Sequence, residues 1–304
     1  MYVSGPGETV LDTLLRHGVA VPHSCRAGVC QSCLLQACDG PVPPTAQIGL
    51  KDALVEQGYF LSCVCRPDGR LRVAKAGAGV RVAAKLAEIG RLSETVLRVI
   101  VETDAPLEHR AGQYLTLFRE DGLARSYSIA SLPEEGRLEL HVRVVPDGQM
   151  STWLAEAPQG ASVSVQGPAG QCFYVAGAAE QPLLLAGTGT GLAPLYGIAR
   201  DALQQGHGAP IWLYHGALHE RGLYLVDELR RLQAAYPNFH YQPVLLDRDG
   251  PLPELIASVH PQLAGWRGFV CGDPQIVHQL RRRLFLSGMA SRHISSDAFV
   301  TAAR

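Results

Sequence analysis

PHSCRAGVCQSC (Pro22 to Cys33) places Cys25, Cys30 and Cys33 on one short loop, and Cys63 follows in GYFLSCVCRP (Gly58 to Pro67) after twenty-nine intervening residues. Gaps of four and then two residues, with a remote fourth cysteine, are the ligand spacing of a plant-type [2Fe-2S] cluster. Each iron takes two thiolates, and the loop Arg26 to Val29 lets the backbone curl around the cluster with its N–H groups toward sulfur. Gly28 permits the tight path. A zinc site would pair two short cysteine hooks, and a set of buried free thiols is the other alternative. Three cysteines on one loop favour the cluster. Cys65 and Cys38 stand close enough in sequence to compete as ligands, and both are read as small buried hydrophobes. His23 is read as a residue behind the cluster or at the surface, because the Cys-x-His pairs of a Rieske centre are absent.

Working outward, 304 residues with 47% hydrophobic composition can bury more than one core. The 27 basic and 28 acidic residues leave a net charge of −1, which gives no footprint for nucleic acid or an anionic membrane. The opening MYVSGPGETV lacks the basic start and apolar core of a secretory leader, so a cytoplasmic location is expected. Six of the eight cysteines fall between Cys25 and Cys65, which in a reducing compartment points to metal binding rather than disulfides. Pro182 to Ala199 is apolar and uncharged, but glycines and prolines interrupt it, and no transmembrane segment is expected.

The small-residue run AKAGAG (Ala74 to Gly79) reads as a connection after a first domain. Beyond it, Val96 to Glu102, Tyr114 to Arg119, Leu138 to Val145 and Ser162 to Gln166 predict an antiparallel barrel or sandwich. Past Gln181, the apolar strands Leu183 to Ala186, Ile211 to Tyr214, His240 to Leu246 and Gly268 to Cys271 alternate with helical segments and predict a parallel α/β sheet. The first of those helices puts Leu195, Ile198, Ala199, Ala202 and Leu203 on one face and stops at Gly206. A later one opens with Asp273 as cap and Pro274 at its first position.

RSYSIAS (Arg125 to Ser131) offers a guanidinium for phosphate, an aromatic ring for stacking and hydroxyls at Ser126 and Ser128. Twenty residues later Gly148, Gln149, Met150 and Ser151 introduce the helix STWLAEA, whose free N–H groups suit a pyrophosphate. GTGTGLAP (Gly187 to Pro194) follows the apolar strand LLLA and opens a helix, so Gly187, Thr188, Gly189, Thr190 and Gly191 let a pyrophosphate approach the backbone. Leu192 in place of the third glycine separates it from the dehydrogenase fingerprint. CGDP (Cys271 to Pro274) ends a late strand. After the second strand, Glu220 can accept from a ribose diol and Arg221 can bind a 2′-phosphate.

The cysteine motif resembles the plant-type ferredoxin domain, a β-grasp fold, of bacterial oxygenase reductases. RSYS and Gly148 to Ser151 resemble the RxYS and GxxS signatures of the ferredoxin reductase superfamily, and GTGTGLAP and CGDP resemble its GTGxGxAP and CGxP motifs. The family's hairpin before GETVLD is represented only by its second half, MYVS, so its first strand is expected to be missing or the start displaced. The resemblance implies a multidomain chain: a β-grasp [2Fe-2S] ferredoxin over 1–77, an antiparallel β-barrel FAD domain over 78–176 and an α/β NAD(P) domain over 177–304. It implies that Arg125 and Ser151 hold phosphate, Tyr127 packs on the flavin (FAD, less often FMN) and Ser128 bonds near its N5. His141, Val142, Arg143 and Val144 line the cofactor, Cys271, Gly272, Asp273 and Pro274 lie by the nicotinamide, and Phe299 in SDAFV covers the flavin or nicotinamide. Packing alone is the other reading of Phe299. Ser128 and Cys271 are the catalytic positions.

The family expectation is a monomeric reductase passing electrons from NADH, with NADPH the other candidate donor, through FAD and the cluster to an oxygenase component or a ferredoxin. A plant-type cluster near about −400 mV suits such an acceptor. Two other readings are a reductase for a sugar-nucleotide dehydration or deoxygenation system, whose branch SDAFV also resembles, and a non-catalytic redox sensor. Intact RSYS, GTGTG and CGDP weigh against the sensor.

Overall fold

The computed structural model of the chain describes residues 3–76, 80–176 and 179–300. The expected connection Ala74 to Gly79 lies partly beyond it, since residues 77–79 fall outside the described residues.

The cysteine-rich segment folds as α1 (Val10–Arg16), β1 (Leu34–Asp39), α2 (Asp52–Glu56), β2 (Tyr59–Leu61) and β3 (Arg72–Lys75). Thr9 starts α1 with a reciprocal box: its hydroxyl accepts from Asp12 N–H and the Asp12 carboxylate accepts from Thr9 N–H. The three strands form an antiparallel sheet in the order β2-β1-β3. Leu11 and Leu14 of α1 share its core with Leu34, Phe60 and Leu61. Among the described residues no strand precedes α1, and Met1 and Tyr2 lie outside them.

The middle of the chain forms β4 (Val82–Arg91), β5 (Val96–Thr103), β6 (Tyr114–Phe118), β7 (Ala124–Ser128), β8 (Leu138–Arg143), α3 (Gln149–Glu156) and β9 (Ser162–Ala169). The strands pair antiparallel in the order β7-β6-β9-β4-β5-β8, and a bridge between Ile129 and Leu140 joins the two edges. The sheet is therefore closed into a barrel, which removes its exposed edges. Leu97, Val99 and Val101 of β5 and Leu115 and Leu117 of β6 fill its interior. Val96 joins the core of the next unit.

The last part comprises β10 (Leu183–Thr188), α4 (Leu192–Gln204), β11 (Ile211–Ala217), α5 (Val226–Ala235), β12 (Phe239–Leu245), α6 (Leu246–Asp249), α7 (Leu252–Val259), β13 (Arg267–Gly272), α8 (Pro274–Leu286) and β14 (Ile294–Ala298). All five strands are parallel, in the order β12-β11-β10-β13-β14. The apolar face of α4 (Leu195, Ile198, Ala199, Ala202 and Leu203) packs on one side of the sheet, while Val277, Leu280 and Leu284 of α8 pack on the other. Asp273 caps α8 by accepting from the N–H groups of Gln275 and Ile276. No helix among the described residues is long and apolar enough to cross a membrane; Pro182 to Ala199 is β10, a glycine turn and the start of α4.

Barrel and α/β sheet meet along α4. A Cβ on Gly197 would stand 2.8 Å from the Ala130 carbonyl oxygen and 2.9 Å from Ala111 Cβ, so helix backbone rides directly on barrel backbone. Arg200 adds an ion pair to Glu135.

Candidate functional site

The four cysteine thiols lie as two pairs, Cys25 with Cys30 and Cys33 with Cys63. Three non-extended positions bend the loop: Arg26, Gly28 and Gln31 have φ of 52°, 73° and 57°. Gly28 needs its missing side chain as well, since a Cβ would stand 3.2 Å from Val64 Cγ1. Backbone N–H groups point at sulfur, with Ala27 N and Cys30 N at 3.3 and 3.4 Å from Cys25 Sγ. The Cys30 thiol and these N–H groups hold the Cys25 thiol well below its ordinary range, and Cys63 does the same for Cys33. Among the described residues no three His, Cys, Asp or Glu side chains converge on one point for a single ion. Two thiol pairs ringed by N–H donors fit a binuclear cluster, two thiolates to each iron. Cys65 is fully buried in the core behind them, where burial pushes its thiol up to about 11, and Cys38 is exposed on β1. His23 Nδ1 lies 2.9 Å from Val21 O.

β7 carries the flavin motif. Arg125, Ser126 and Tyr127 are half-buried and Ser128 is buried. Ser128 Oγ lies 3.5 Å from Asp297 Oδ2 on β14, across the seam between barrel and α/β sheet. On β8, His141 is buried between Glu139 Oε1 at 3.0 Å and Tyr224 Oη at 3.2 Å. Burial raises the Glu139 carboxyl, but the bonds from His141 and Arg98 outweigh it and hold the group at about 2. Burial lowers His141, so the neutral ring donates to Glu139 through Nε2 and accepts from the Tyr224 hydroxyl at Nδ1.

The neighbouring residues divide. Val142 and Met150 belong to the barrel core, Val144 packs against it, and Arg143 and Gln149 are exposed. Gly148 caps α3 at its N-terminus. Ser151 Oγ accepts from Val145 N–H and donates to Gly148 O, both at 3.2 Å, so its hydroxyl is engaged in shaping this turn.

The glycine turn and CGDP face each other at the C-terminal ends of adjacent strands, with Gly187 opposite Cys271 in register. A Cβ on Gly191 would run into the Cys271 carbonyl, and one on Gly272 would lie 2.7 Å from Thr188 O. Thr188 Oγ1 accepts from Asp273 N–H at 3.3 Å, locking the two motifs together. Gly189 takes the left-handed φ of 54° and Thr190 is half-buried beside it. His215, beside Gly187 on β11, is fully buried; neither ring nitrogen has a well-formed hydrogen bond, and burial drives it down to about 3. A cradle of closely approaching glycines at the C-terminal ends of parallel strands fits a dinucleotide. Glu220 and Arg221 are exposed on the turn after β11. Cys271 is 1% exposed, with its Sγ 3.6 Å from Cys172 Sγ; Phe299 is half-buried and its N–H donates to Gly272 O.

Sequence reasoning missed Asp297, Tyr114, Thr116, Gln166, Tyr224 and Cys172. Asp297 lies two residues before Phe299 within SDAFV, which was the available signal. The rest are common residue types that acquire meaning only from what faces them. Burial raises the Tyr114 phenol, and the charges of Asp297 on one side and of Cys30 and Cys25 on the other add to it.

Comparison with known proteins matches three family models in order along the chain: a 2Fe-2S iron-sulfur cluster binding domain over residues 2–68, an oxidoreductase FAD-binding domain over 83–174 and an oxidoreductase NAD-binding domain over 185–281. The reductase component of the naphthalene 1,2-dioxygenase system of Pseudomonas putida, a ferredoxin–NAD(P)(+) reductase, is 32% identical over 308 residues, covering 96% of this chain and 94% of that protein. The reductase subunit of an aromatic O-demethylase from Amycolatopsis is 32% identical over 321 residues, covering 98% and 95%. Among solved structures, the Amycolatopsis reductase GcoB superposes with a TM-score of 0.73 at 31% identity over 99% of this chain and 97% of that one.

Proposed function

Since the chain belongs to the family of FAD- and [2Fe-2S]-binding reductases that serve bacterial oxygenase systems, we propose that it takes hydride from NADH and delivers single electrons to an oxygenase component or a ferredoxin. One observation carries the reading. Two residues apart on β7, Ser126 Oγ approaches the carbonyl of cluster ligand Cys30 and Ser128 Oγ approaches Asp297 of the nucleotide-binding sheet. A single strand thus touches both other units, where an intermediate electron carrier belongs.

FAD supplies the conversion of a two-electron donor into one-electron steps, and the cluster supplies a one-electron outlet. The chain's own work is positional. Arg125 and the N–H groups opening α3 hold the flavin phosphates, with Ser151 shaping that turn. Tyr127 packs on the flavin ring, and His141, kept neutral by burial against the opposing pull of the Glu139 carboxylate and oriented by its bonds to Glu139 and Tyr224, lines it without adding charge. Gly187 to Gly191 and Gly272 to Pro274 cradle the dinucleotide, Ser128 and Cys271 flank the place of hydride transfer, and Phe299 closes over it. Glu220 accepts from the adenosine ribose diol, which favours NADH. Cys25, Cys30, Cys33 and Cys63 bind the cluster.

Domains divide at 77/78 and 176/177. All three centres sit on one chain, so the path closes within a monomer, and the free, clustered thiols suit the cytoplasm. Anaerobic titration with NADH tests the whole reading: flavin bleaching followed by cluster reduction is expected. Bleaching only with NADPH reassigns the donor, and no bleaching with either overturns the function.

A further inference from the structure

Three successive carbonyls of the cluster loop are held by side chains of the barrel. Tyr114 Oη donates to Val29 O at 2.7 Å, Thr116 Oγ1 to Cys30 O at 2.6 Å, and Gln166 Nε2 to Gln31 O at 2.9 Å. Leu115, Leu117 and Val165 point into the barrel, so by strand alternation Tyr114, Thr116 and Gln166 point outward, onto a face that would otherwise be wet. Instead Thr116 is 2% and Gln166 5% exposed. Water is thus kept from bonds that span 86 and 135 residues of sequence, and hydrogen bonds shielded in this way hold more firmly.

Their target includes a strained position of the loop. Gln31 adopts a left-handed φ of 57°, a conformation that persists in a non-glycine residue only when its surroundings over-determine it. Its carbonyl is fixed by Gln166 and its side chain by Gly49 O at 2.9 Å. Tyr114 in turn is seated on Gly170, where a Cβ would stand 2.9 Å from its ring. Cys25, Arg26 and Ala27, the opposite arm of the loop, carry no such bonds to the barrel among the described residues and are half-buried or exposed.

We propose that Tyr114, Thr116 and Gln166 are positioning residues that hold the Cys30 arm of the cluster loop at a fixed distance from the flavin strand, so that electrons enter the cluster through Cys30. The inference rests on the function proposed above. These residues act through the loop, and Thr116 Oγ1 also lies 3.0 Å from Ser126 Oγ on the flavin strand, so the step expected to respond to their loss is the one from flavin to cluster. Electron transfer between two held centres slows as the gap between them widens, so a loosened loop slows that step.

The test uses the full chain loaded with FAD and cluster, as Tyr114→Phe, Thr116→Val, their double variant and the conservative Thr116→Ser. Gln166→Met, on another strand, serves if Thr116→Val fails to fold. Rapid anaerobic mixing with NADH follows flavin bleaching by absorbance and cluster reduction by freeze-quench electron paramagnetic resonance. Hydrogen–deuterium exchange of loop residues 26–33 is measured on the same proteins. The expected result is flavin bleaching at the wild-type rate, cluster reduction slowed several-fold in the double variant, faster loop exchange, and recovery of both in Thr116→Ser. Cluster reduction at the wild-type rate despite faster loop exchange overturns the proposal, as does equal slowing of flavin and cluster. If wild-type flavin is bleached by neither NADH nor NADPH, the functional reading fails instead, and the clamp is judged on loop exchange, which must still rise in the variants.

Discussion

Ser128 and Asp297 face each other 3.5 Å apart, one from the barrel and one from the nucleotide-binding sheet, and Asp297 is also the register partner of Cys271. Burial pushes the Asp297 carboxyl up to about 6, against the opposing effect of the Ser128 hydroxyl. Between about pH 4 and pH 6 the unfolded chain releases a proton that the native protein keeps, so this group lowers stability as pH rises through that window. Asp297→Asn is therefore expected to be more stable than wild type by about 1–3 kcal/mol at pH 7 and equal to it near pH 3.5. Urea unfolding across that range checks it, and a pH-independent difference would count against the assignment.

Cys63→Ser is expected to abolish the cluster while leaving flavin stoichiometric, as read by iron, acid-labile sulfide and FAD content. Cys38→Ser, on the surface, leaves all three unchanged. Cys65→Ser keeps the cluster but places a hydroxyl in a fully apolar setting, at a cost of about 1–3 kcal/mol, visible as a lower Tm.

Gly191→Ala forces a methyl group into the Cys271 carbonyl. A loss of about 1–3 kcal/mol of stability is expected, together with at least about ten-fold weaker NAD+ binding by calorimetry, one decade being about 1.4 kcal/mol. The cluster and flavin spectra should not change.

Glu220→Ser removes the carboxylate that repels a 2′-phosphate and leaves Arg221 to attract it. The ratio of kcat/KM for NADPH over NADH is expected to rise by roughly ten-fold or more, since charge-assisted pairing to phosphate contributes about 1.5–3 kcal/mol. An unchanged ratio would place the discrimination elsewhere.

Much of this arrangement is legible in the chain because its chemistry demands particular residue types at particular spacings. Four thiols for two irons, glycines where backbone must approach backbone, and Asp-Pro at the start of α8 each leave a local signature. Other elements carry none. β4 (VAAKLAEIGR) mixes lysine, glutamate and alanine and becomes a strand through its pairing with β5 and β9; β14 (ISSDA) is a polar edge strand formed against β13. Thr116 and Gln166 look like ordinary outward-facing strand residues until the cluster loop arrives from 86 and 135 positions away. Ser151 shows the converse: a motif residue whose hydroxyl turns out to be committed to its own turn.

Gly197 gives α4 a second use. The glycine turn proposed to cradle the dinucleotide ends at Gly191, at the start of the same helix, so the thickness of whatever occupies position 197 acts as a shim between that turn and the barrel. With no side chain there, the shim has zero height, and the backbones of helix and barrel lie as near as peptide planes allow. A methyl group there would have to push helix and barrel apart, and the turn at the head of the helix would move with it.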